Sequence, residues 1–240
     1  MSLLELREVS AGYGPFRAIF NVSFSVPDRG VVALLGANGA GKSTIARVVT
    51  GLVPVQHGSL HFDGQDISRR KAWQISRLGI VHAPEGRSVF GSLTVEENLS
   101  LSLARDKSRK EVAAGLDRAY TLFPRLGERR GQDAGTLSGG EQRMLSLARV
   151  LVDPPRLLVV DELSLGLAPK IIDELYATLR QVNEAGTALL IVEQYVARAV
   201  SLAQSVVVLQ HGEVVFDGSV DDLGDASDRL LATHSQLEST

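Results

Sequence analysis

The pattern G-x-x-x-x-G-K-[ST] is satisfied by Gly36-Ala37-Asn38-Gly39-Ala40-Gly41-Lys42-Ser43-Thr44. An apolar run typical of a buried strand, Val31–Leu35, precedes the pattern, and a helical pattern at 43–51 follows it. We predict that the three glycines let consecutive N–H groups and the positive end of the helix converge on phosphate oxygens. The alternative is a glycine-rich turn that merely opens a helix, but the strand-loop-helix context favours a phosphate-binding loop.

The polar residues of this loop have predicted roles in binding a nucleoside triphosphate. Lys42 is placed to bind the β- and γ-phosphates, and Ser43 is placed to supply a hydroxyl to Mg²⁺. The predicted nucleotide-binding residues of the loop are Gly36, Ala37, Asn38, Gly39, Ala40, Gly41, Lys42, Ser43 and Thr44.

A second motif, Leu157-Leu158-Val159-Val160-Asp161-Glu162, places two carboxylates at the end of an apolar run. A carboxylate at the end of a buried strand is costly unless it meets a cation or hydrogen-bond donors. Asp161 is therefore predicted to bind the hydration shell of Mg²⁺, and Glu162 is predicted to polarise an attacking water. The alternative is that both residues cap the loop that follows the strand.

The third motif is Leu137-Ser138-Gly139-Gly140-Glu141-Gln142. Ser138 and Glu141 have the spacing of a capping box at the start of a helix. The box does not explain the two glycines, since each weakens a helix by up to about 1 kcal/mol relative to Ala. Gly139 and Gly140 offer bare N–H groups at a helix terminus that attracts anions, which predicts a second phosphate site.

The hydropathy pattern of the chain predicts an α/β fold. Alternating runs at Leu4–Val9 and Val22–Val26 predict antiparallel strands, whereas fully apolar runs predict a parallel sheet that is buried on both faces. The fully apolar runs are Val31–Leu35, Leu157–Val160, Ala188–Val192 and Val206–Leu209. The last of them and Glu213–Phe216 predict a hairpin.

Residues 86–155 differ from the rest, because they contain long helical patterns and few β-branched runs. One of these helices is predicted to start at a capping box formed by Thr94 and Glu97. We therefore predict a single domain over residues 1–240, with a catalytic α/β core at 1–85 and 156–240. The core is expected to combine a mixed sheet with an antiparallel β subdomain, and residues 86–155 are expected to form an inserted α-helical subdomain.

Composition excludes several classes of protein. The chain has 240 residues, a formal charge of −3 and no cysteine, so it can have no disulfide, thiol nucleophile or Cys-ligated metal. No basic tract points to nucleic acid, and no apolar run approaches the roughly 20 residues of a membrane span. The first ten residues, MSLLELREVS, do not have the pattern of a secretory signal. We expect a cytoplasmic chain that reaches a membrane only through a partner.

The three motifs together resemble those of the nucleotide-binding subunits of ABC transporters, in both order and spacing. The resemblance implies the P-loop NTPase fold of the ABC cassette, with ATP and Mg²⁺ as ligands. It also implies that Tyr13 stacks on adenine and that two subunits form a head-to-tail dimer. In such a dimer Ser138, Gly139, Gly140 and Glu141 of one chain form the signature that meets ATP bound to the other, and Ser164-Leu165-Gly166 helps to join the subunits.

Three departures from the family pattern point to one branch of it. Ala83-Pro84-Glu85-Gly86-Arg87 stands where a Gln is usual, Gln194 stands where a His is usual, and Leu163 replaces a Pro. Gln194 can donate a hydrogen bond to a γ-phosphate oxygen but cannot relay a proton. Glu85 is expected to face the metal, to pair with Arg87 or to turn away. The branch that energises uptake of branched-chain amino acids, particularly its second ATP-binding subunit, is resembled by Pro84-Glu85-Gly86-Arg87, by Glu193-Gln194 and by the run Leu165-Gly166-Leu167-Ala168-Pro169.

The resemblance implies an ATP-hydrolysing subunit of an importer, at the cytoplasmic face of the membrane. Its partners would be polytopic permease subunits bound through residues 85–99, a sister ATP-binding subunit or a second copy, and, indirectly, a solute-binding protein. A soluble non-transport ABC ATPase, a non-catalytic regulatory subunit, and an importer of another solute such as urea or amides are the alternatives. A GTPase is disfavoured because the chain lacks Asn-Lys-x-Asp, and a P-loop kinase would not use the motif at 137–141.

Overall fold

A computed structural model describes residues 2–84, 86, 88–103, 107–164 and 166–223. The strands are β1 (Ser2–Tyr13), β2 (Phe16–Pro27), β3 (Val31–Leu35), β4 (Val55–Phe62), β5 (Gln65–Asp66), β6 (Ile80–Ala83), β7 (Leu157–Asp161), β8 (Ala188–Glu193), β9 (Ser205–Gln210) and β10 (Glu213–Ser219). The α-helices are α1 (Lys42–Val49), α2 (Ala72–Arg77), α3 (Val95–Leu103), α4 (Arg109–Leu122), α5 (Pro124–Glu128), α6 (Gly139–Leu151), α7 (Pro169–Glu184) and α8 (Val196–Val200). A short 3₁₀-helix spans Ala134–Thr136.

Within the described residues, the strands form one antiparallel and one mixed sheet. The antiparallel sheet has the order β2-β1-β4-β5, and the mixed sheet has the order β10-β9-β3-β8-β7-β6. In the mixed sheet all neighbouring strands pair in parallel except β10, which is antiparallel to β9. The predicted α/β class and both kinds of strand are therefore confirmed.

The parallel strands are apolar because helices or the second sheet cover both of their faces. Every residue of β3, β7 and β8 is buried. Alternate residues of β3 belong to two hydrophobic clusters: Val31, Ala33 and Leu35 point into one cluster, and Val32 and Leu34 point into the other. A continuous apolar run is the pattern that such two-sided burial requires.

The second cluster joins the mixed sheet to the antiparallel sheet and to α1. Leu4 and Leu6 of β1 pack in it together with Ile45 of α1. These strands alternate because only one face of the antiparallel sheet is buried: in β1, Leu4 and Leu6 are buried while Arg7 is exposed.

The predicted hairpin at the sheet edge is also confirmed, and its turn contacts the phosphate loop. His211 and Gly212 have φ angles of 48° and 84°, the pair of left-handed conformations found in type I′ hairpins. The N–H of Gly212 donates to Ala40 O over 2.9 Å, and Gly212 O accepts from Phe20 N over 2.8 Å. The turn thus ties the loop at 36–41 to both sheets.

Residues 88–103 and 107–151 contain only helices and connecting segments, apart from one isolated bridge between Thr94 and Asp133. The predicted capping box is present, since Thr94 N donates to Glu97 Oε2 over 2.8 Å and Glu97 N donates to Thr94 Oγ1 over 3.2 Å. Buried side chains of these helices belong to the same cluster as one face of the mixed sheet. The boundaries at 85–86 and 155–156 stay a prediction. None of the helices in the described part of the chain has the length and apolar character of a membrane span.

The segment that leads into α3 is held by one buried amide. Asn98 is completely buried; its Oδ1 accepts from Phe90 N over 2.8 Å, and its Nδ2 donates to Phe90 O over 2.9 Å. Nδ2 also donates to Leu93 O over 3.2 Å and to Thr94 O over 2.9 Å. The side chain therefore pairs Phe90 N and adds a second donor to three carbonyls that backbone N–H groups also reach.

Replacement of Asn98 by Ala should lower the free energy of unfolding by about 1–3 kcal/mol, because it removes the hydrogen bonds of a completely buried amide and leaves Phe90 N without its side-chain acceptor. Urea unfolding followed by circular dichroism measures this loss. Leu101→Ala on the same helix is the matched control, since Leu101 is 50% exposed and its removal should change stability by less than about 0.5 kcal/mol. Equal unfolding free energies for the two variants would contradict the role given to Asn98.

Candidate functional site

The polar residues of the phosphate loop and of the acidic end of β7 meet at the carboxyl edge of the mixed sheet. Leu35, the last residue of β3, pairs with Glu193, the last residue of β8. Asp161, the last residue of β7, pairs with Val192. Because these strands are parallel, the segments that follow them leave the sheet on the same side, which is where α/β proteins bind ligands.

The loop between β3 and α1 is shaped by its glycines. Gly36, Gly39 and Gly41 have φ angles of 155°, 79° and 105°, which L side chains rarely adopt. A Cβ atom at Gly36 would lie 2.4 Å from Leu209 O, and one at Gly41 would lie 2.8 Å from Ile19 Cγ2. The backbone can therefore fold this closely only with glycine at these two positions.

Lys42 lies inside this loop. Its side chain is 3% exposed, and Nζ donates to Gly36 O over 2.9 Å and to Ala37 O over 3.0 Å. Nζ also lies 3.9 Å from Glu162 Oε1. Burial lowers the pKa of the Lys42 ammonium, while nearby carboxylates, Glu162 most strongly, act in the opposite direction. The loop carbonyls and the carboxylates thus hold a cation where phosphates would bind.

Ser43 and Asp161 come together although 118 positions separate them, and Ser43 Oγ donates to Asp161 Oδ1 over 3.3 Å. Asp161 is 3% exposed. A hydroxyl and a carboxylate oxygen are the donor types that Mg²⁺ prefers, and Mg²⁺ takes one or two protein ligands and completes its shell with water and phosphate oxygens. The pair therefore fits Mg²⁺, even though the described residues contain no cluster of three or more metal-ligating side chains.

Glu162 has a left-handed backbone conformation, with φ at 46°. This conformation is strained for a residue with a side chain. The turn is held because Glu162 N donates to Val192 O of the neighbouring strand over 2.9 Å. The strained turn directs the Glu162 carboxylate toward Lys42 and leaves its side chain 17% exposed, so that water can reach it.

His82 lies beside Asp161, a position that the sequence did not reveal. Its Nε2 is 3.9 Å from Asp161 Oδ2, and Nε2 is buried without a hydrogen-bond partner among the described residues. Burial, followed by the charges of Arg47 and Arg143, lowers the pKa of His82 to about 4. The imidazole is therefore neutral near pH 7, and this contact is not an ion pair.

Arg143 of α6 is a second residue that sequence reasoning missed. Its guanidinium donates to Pro84 O over 2.7 Å, to Asp161 O and Glu162 O over 3.1 Å each, and to Gly86 O. It is 5% exposed. The side chain thus joins the third motif to the ends of β6 and β7. The sequence signal that could have identified Arg143 is a charged residue among the apolar residues of α6.

The capping box at the start of α6 is confirmed. Ser138 N donates to Glu141 Oε2 over 2.9 Å, and Glu141 N donates to Ser138 Oγ over 3.3 Å. The other oxygen, Glu141 Oε1, lies 2.9 Å from Arg129 Nε. Both carboxylate oxygens of Glu141 are therefore engaged within the chain, so any ligand at this terminus would meet Ser138 and the glycine amides instead.

Tyr13 lies at the end of β1 and is tied to α1. Its hydroxyl accepts from Arg47 over 2.9 Å, and its ring is 45% exposed.

Gln194 is exposed and directly follows β8, beside the strand that enters the phosphate loop. Three residues singled out in the sequence, Glu85, Arg87 and Leu165, lie outside the described residues.

Comparison with known proteins identifies the family. The profile of the family described as ABC transporter matches residues 19–164. The chain is 42% identical to a high-affinity branched-chain amino acid transport ATP-binding protein, BraG of Pseudomonas aeruginosa, over 89% of this chain and 91% of BraG. It is 33% identical to a probable branched-chain amino acid transport ATP-binding protein, LivF of Archaeoglobus fulgidus, over 92% and 94% of the two chains.

Solved structures agree. A nucleotide-free ATP-binding cassette from an ABC transporter has the same fold, with a TM-score of 0.86, 23% identity and coverage of 96% of this chain and 98% of its own. An ATP-binding subunit of an ABC transporter superposes with a TM-score of 0.82 at 28% identity, over 95% and 94% of the two chains. The fold, the phosphate loop and these similarities together lead to one conclusion: the chain belongs to the ABC transporter family, as one of its ATP-binding subunits.

Proposed function

We propose that this chain binds and hydrolyses ATP to drive an importer for branched-chain amino acids through a separate membrane permease. The observation that carries the proposal is the meeting of Lys42, Ser43, Asp161 and Glu162 at one edge of the sheet, where a cation, a metal-ligand pair and a carboxylate lie together. The chain also belongs to the ABC transporter family, in which ATP binding and hydrolysis accompany transport.

The phosphate loop supplies binding. Amides of residues 36–41 and the start of α1 attract the phosphates. Lys42 exchanges its hydrogen bonds with Gly36 O and Ala37 O for bonds to phosphate oxygens, which are stronger because they join opposite charges. Tyr13 stacks on the adenine at the edge of this loop.

Ser43 and Asp161 would hold Mg²⁺ through the hydroxyl and carboxylate oxygens that this ion prefers. When bound, Mg²⁺ neutralises charge on the phosphate oxygens. His82, which is neutral, lies 3.9 Å from Asp161 Oδ2, the carboxylate oxygen that does not accept from Ser43. It limits the positions that this carboxylate can adopt without adding a positive charge to the site.

Glu162 acts as the general base. Its carboxylate accepts a proton from a water as the water oxygen attacks the γ-phosphorus, and the bond to the β-γ bridging oxygen breaks to release ADP and phosphate. Lys42, 3.9 Å from the Glu162 carboxylate, stabilises the negative charge that the phosphoryl group carries during transfer. Gln194 donates to a γ-phosphate oxygen and holds its geometry.

Transport requires a second ATP-binding subunit and a permease. Ser138, Gly139 and Gly140 of one subunit meet the γ-phosphate bound to the other, so that ATP closes a head-to-tail pair with a sister subunit or a second copy. Because the closed pair binds ATP more tightly than the open pair, ATP binding shifts the conformational equilibrium toward the closed pair. The size of the shift is the difference between the two binding free energies. The permease subunits bind through residues 85–99, which places the chain at the cytoplasmic face of the membrane, and the solute-binding protein acts from outside.

The proposed solute rests on similarity, because nothing in an ATP-binding subunit contacts it. BraG and LivF, which this chain resembles at 42% and 33% identity, are described as branched-chain amino acid transport proteins. Urea, amides or another amino acid are the competing solutes, and a soluble non-transport ABC ATPase is the competing class.

Replacement of Glu162 by Gln should keep ATP binding and slow steady-state ATP hydrolysis by about 100-fold or more, because an amide cannot accept the proton of the attacking water. Binding of a fluorescent ATP analogue and release of phosphate are the two measurements. Glu184→Gln, at the exposed end of α7, is the control and should hydrolyse ATP normally. Normal turnover in Glu162→Gln would assign the base elsewhere.

Replacement of Gln194 by Ala should lower kcat by about 100-fold, because the γ-phosphate loses a hydrogen-bond donor. The affinity for ADP, which has no γ-phosphate, should not change. Gln194→His keeps a donor and should recover most of the rate. An ATPase rate in Gln194→Ala equal to that of the parent would rule out this role.

Affinity capture of the chain from gently solubilised membranes tests the transport assignment. We expect mass spectrometry to find two polytopic permeases, a sister ATP-binding subunit and a solute-binding protein. Binding of leucine, isoleucine and valine to that solute-binding protein, measured by calorimetry against urea and amides, then tests the solute. Recovery of soluble partners alone, such as ribosomes or repair factors, would replace transport by the non-transport alternative.

A further inference from the structure

One buried carboxylate of the site has no part in the proposed mechanism. Glu193 ends β8 and is 1% exposed. Its Oε2 accepts from Ser164 Oγ over 2.9 Å, and its Oε1 accepts from Ser164 N over 3.1 Å and from Tyr176 OH over 3.3 Å. Three donors therefore surround this carboxylate, two of them from the same residue.

Removing a carboxylate from water costs free energy, so a buried carboxylate is tolerated only when its oxygens are hydrogen-bonded. An apolar side chain at the end of β8 would pack in the hydrophobic core without needing any hydrogen-bond donor. The donors themselves are also buried: Ser164 is 6% exposed and Tyr176 is 7% exposed. Burial and the adjacent carboxylate of Glu193 raise the pKa of Tyr176 above its ordinary value, so its hydroxyl stays a donor.

Ser164 connects Glu193 to the turn that contains Glu162, because Ser164 lies two residues after Glu162 in the chain. Two anchors of this turn lie on β8. Glu162 N donates to Val192 O over 2.9 Å, and the next residue of β8, Glu193, holds Ser164 through both its N–H and its hydroxyl. The strained φ of 46° at Glu162 persists only where the surrounding structure holds it.

Glu193 also lies near the strand that enters the phosphate loop. It is one of the carboxylates that oppose the lowering of the Lys42 pKa by burial. Its pairing with Leu35 in the sheet places it next to the strand that enters this loop. Glu193 thus ends a strand that pairs on one side with β3, which enters the phosphate loop, and on the other side with β7, which leads to Glu162.

We propose that Glu193 is a positioning residue, which fixes Ser164 and thereby holds Glu162 in the orientation that activates water. The inference rests on the proposed function, since it takes Glu162 as the general base. Glu193 does not touch ATP; it acts on the rate through the turn. Its loss therefore lowers kcat and leaves the KM for ATP, which the phosphate loop sets, within about twofold.

The full-length chain with Glu193→Ala tests this inference. We expect kcat to fall by about 100-fold, the effect of a displacement near 1 Å at a reacting group. Glu193→Gln should restore most of kcat, because its amide oxygen accepts from Ser164 N and Tyr176 OH and its NH₂ donates to Ser164 Oγ. Glu193→Asp, which is one methylene shorter, tests the same contact if the Ala variant does not fold.

Amide hydrogen exchange supplies a readout that is independent of ATP hydrolysis. The Ser164 N–H should exchange much faster in Glu193→Ala than in the parent chain, and Tyr176→Phe should leave this exchange unchanged because both contacts to Ser164 remain. Leu179→Ala, which removes a completely buried side chain from the same helix as Tyr176, is the control for general destabilisation. It should lower the Tm without changing kcat.

Three outcomes would overturn the inference: unchanged Ser164 exchange in Glu193→Ala, a kcat equal to that of the parent, or a Gln variant as slow as the Ala variant. An inactive parent chain in the assembled transporter would instead refute the proposed ATPase function. In that case the exchange of the Ser164 N–H still decides whether Glu193 fixes this segment.

Discussion

Burial of the mixed sheet on both faces is the constraint on which the rest of this structure depends. Because β3, β7 and β8 are buried at every residue, polar side chains can stand only where these strands end. The parallel direction of the strands then collects those ends at one edge. Asp161 and Glu193 are the last residues of β7 and β8, and the phosphate loop begins directly after Leu35. The site is thus a consequence of how the core is packed.

Opposite charges lie close together at this edge of the sheet. Lys42 is 3% exposed and lies 3.9 Å from the Glu162 carboxylate, while Asp161 and Glu193 are also buried. Such groups are stable in a low-dielectric interior only when each has a partner. Under the proposed function, ATP and Mg²⁺ would bring further negative and positive charge to this site. The carboxylates of Glu162, Asp161 and Glu193 also oppose the lowering of the Lys42 pKa by burial.

The helices between β6 and β7 are linked to this edge rather than packed independently. Their buried side chains share a cluster with one face of the mixed sheet. Arg143 of α6 donates to the carbonyls of Asp161 and Glu162, and Asn98 holds the segment that leads into α3. A displacement of α6 would therefore reach the turn at Glu162, because the Arg143 hydrogen bonds connect the two.

Features that depend on local pattern can be read from residues adjacent in the chain: the phosphate loop, the Ser138–Glu141 cap, the apolar strands and the acidic end of β7. The sequence did not reveal His82, Arg143 or Glu193, although Glu193 ends an apolar strand as Asp161 does. Their roles depend on partners that are 17 to 79 positions away. Only the tertiary structure decided those contacts, because strand register and helix packing, not sequence spacing, set which buried donors and acceptors meet.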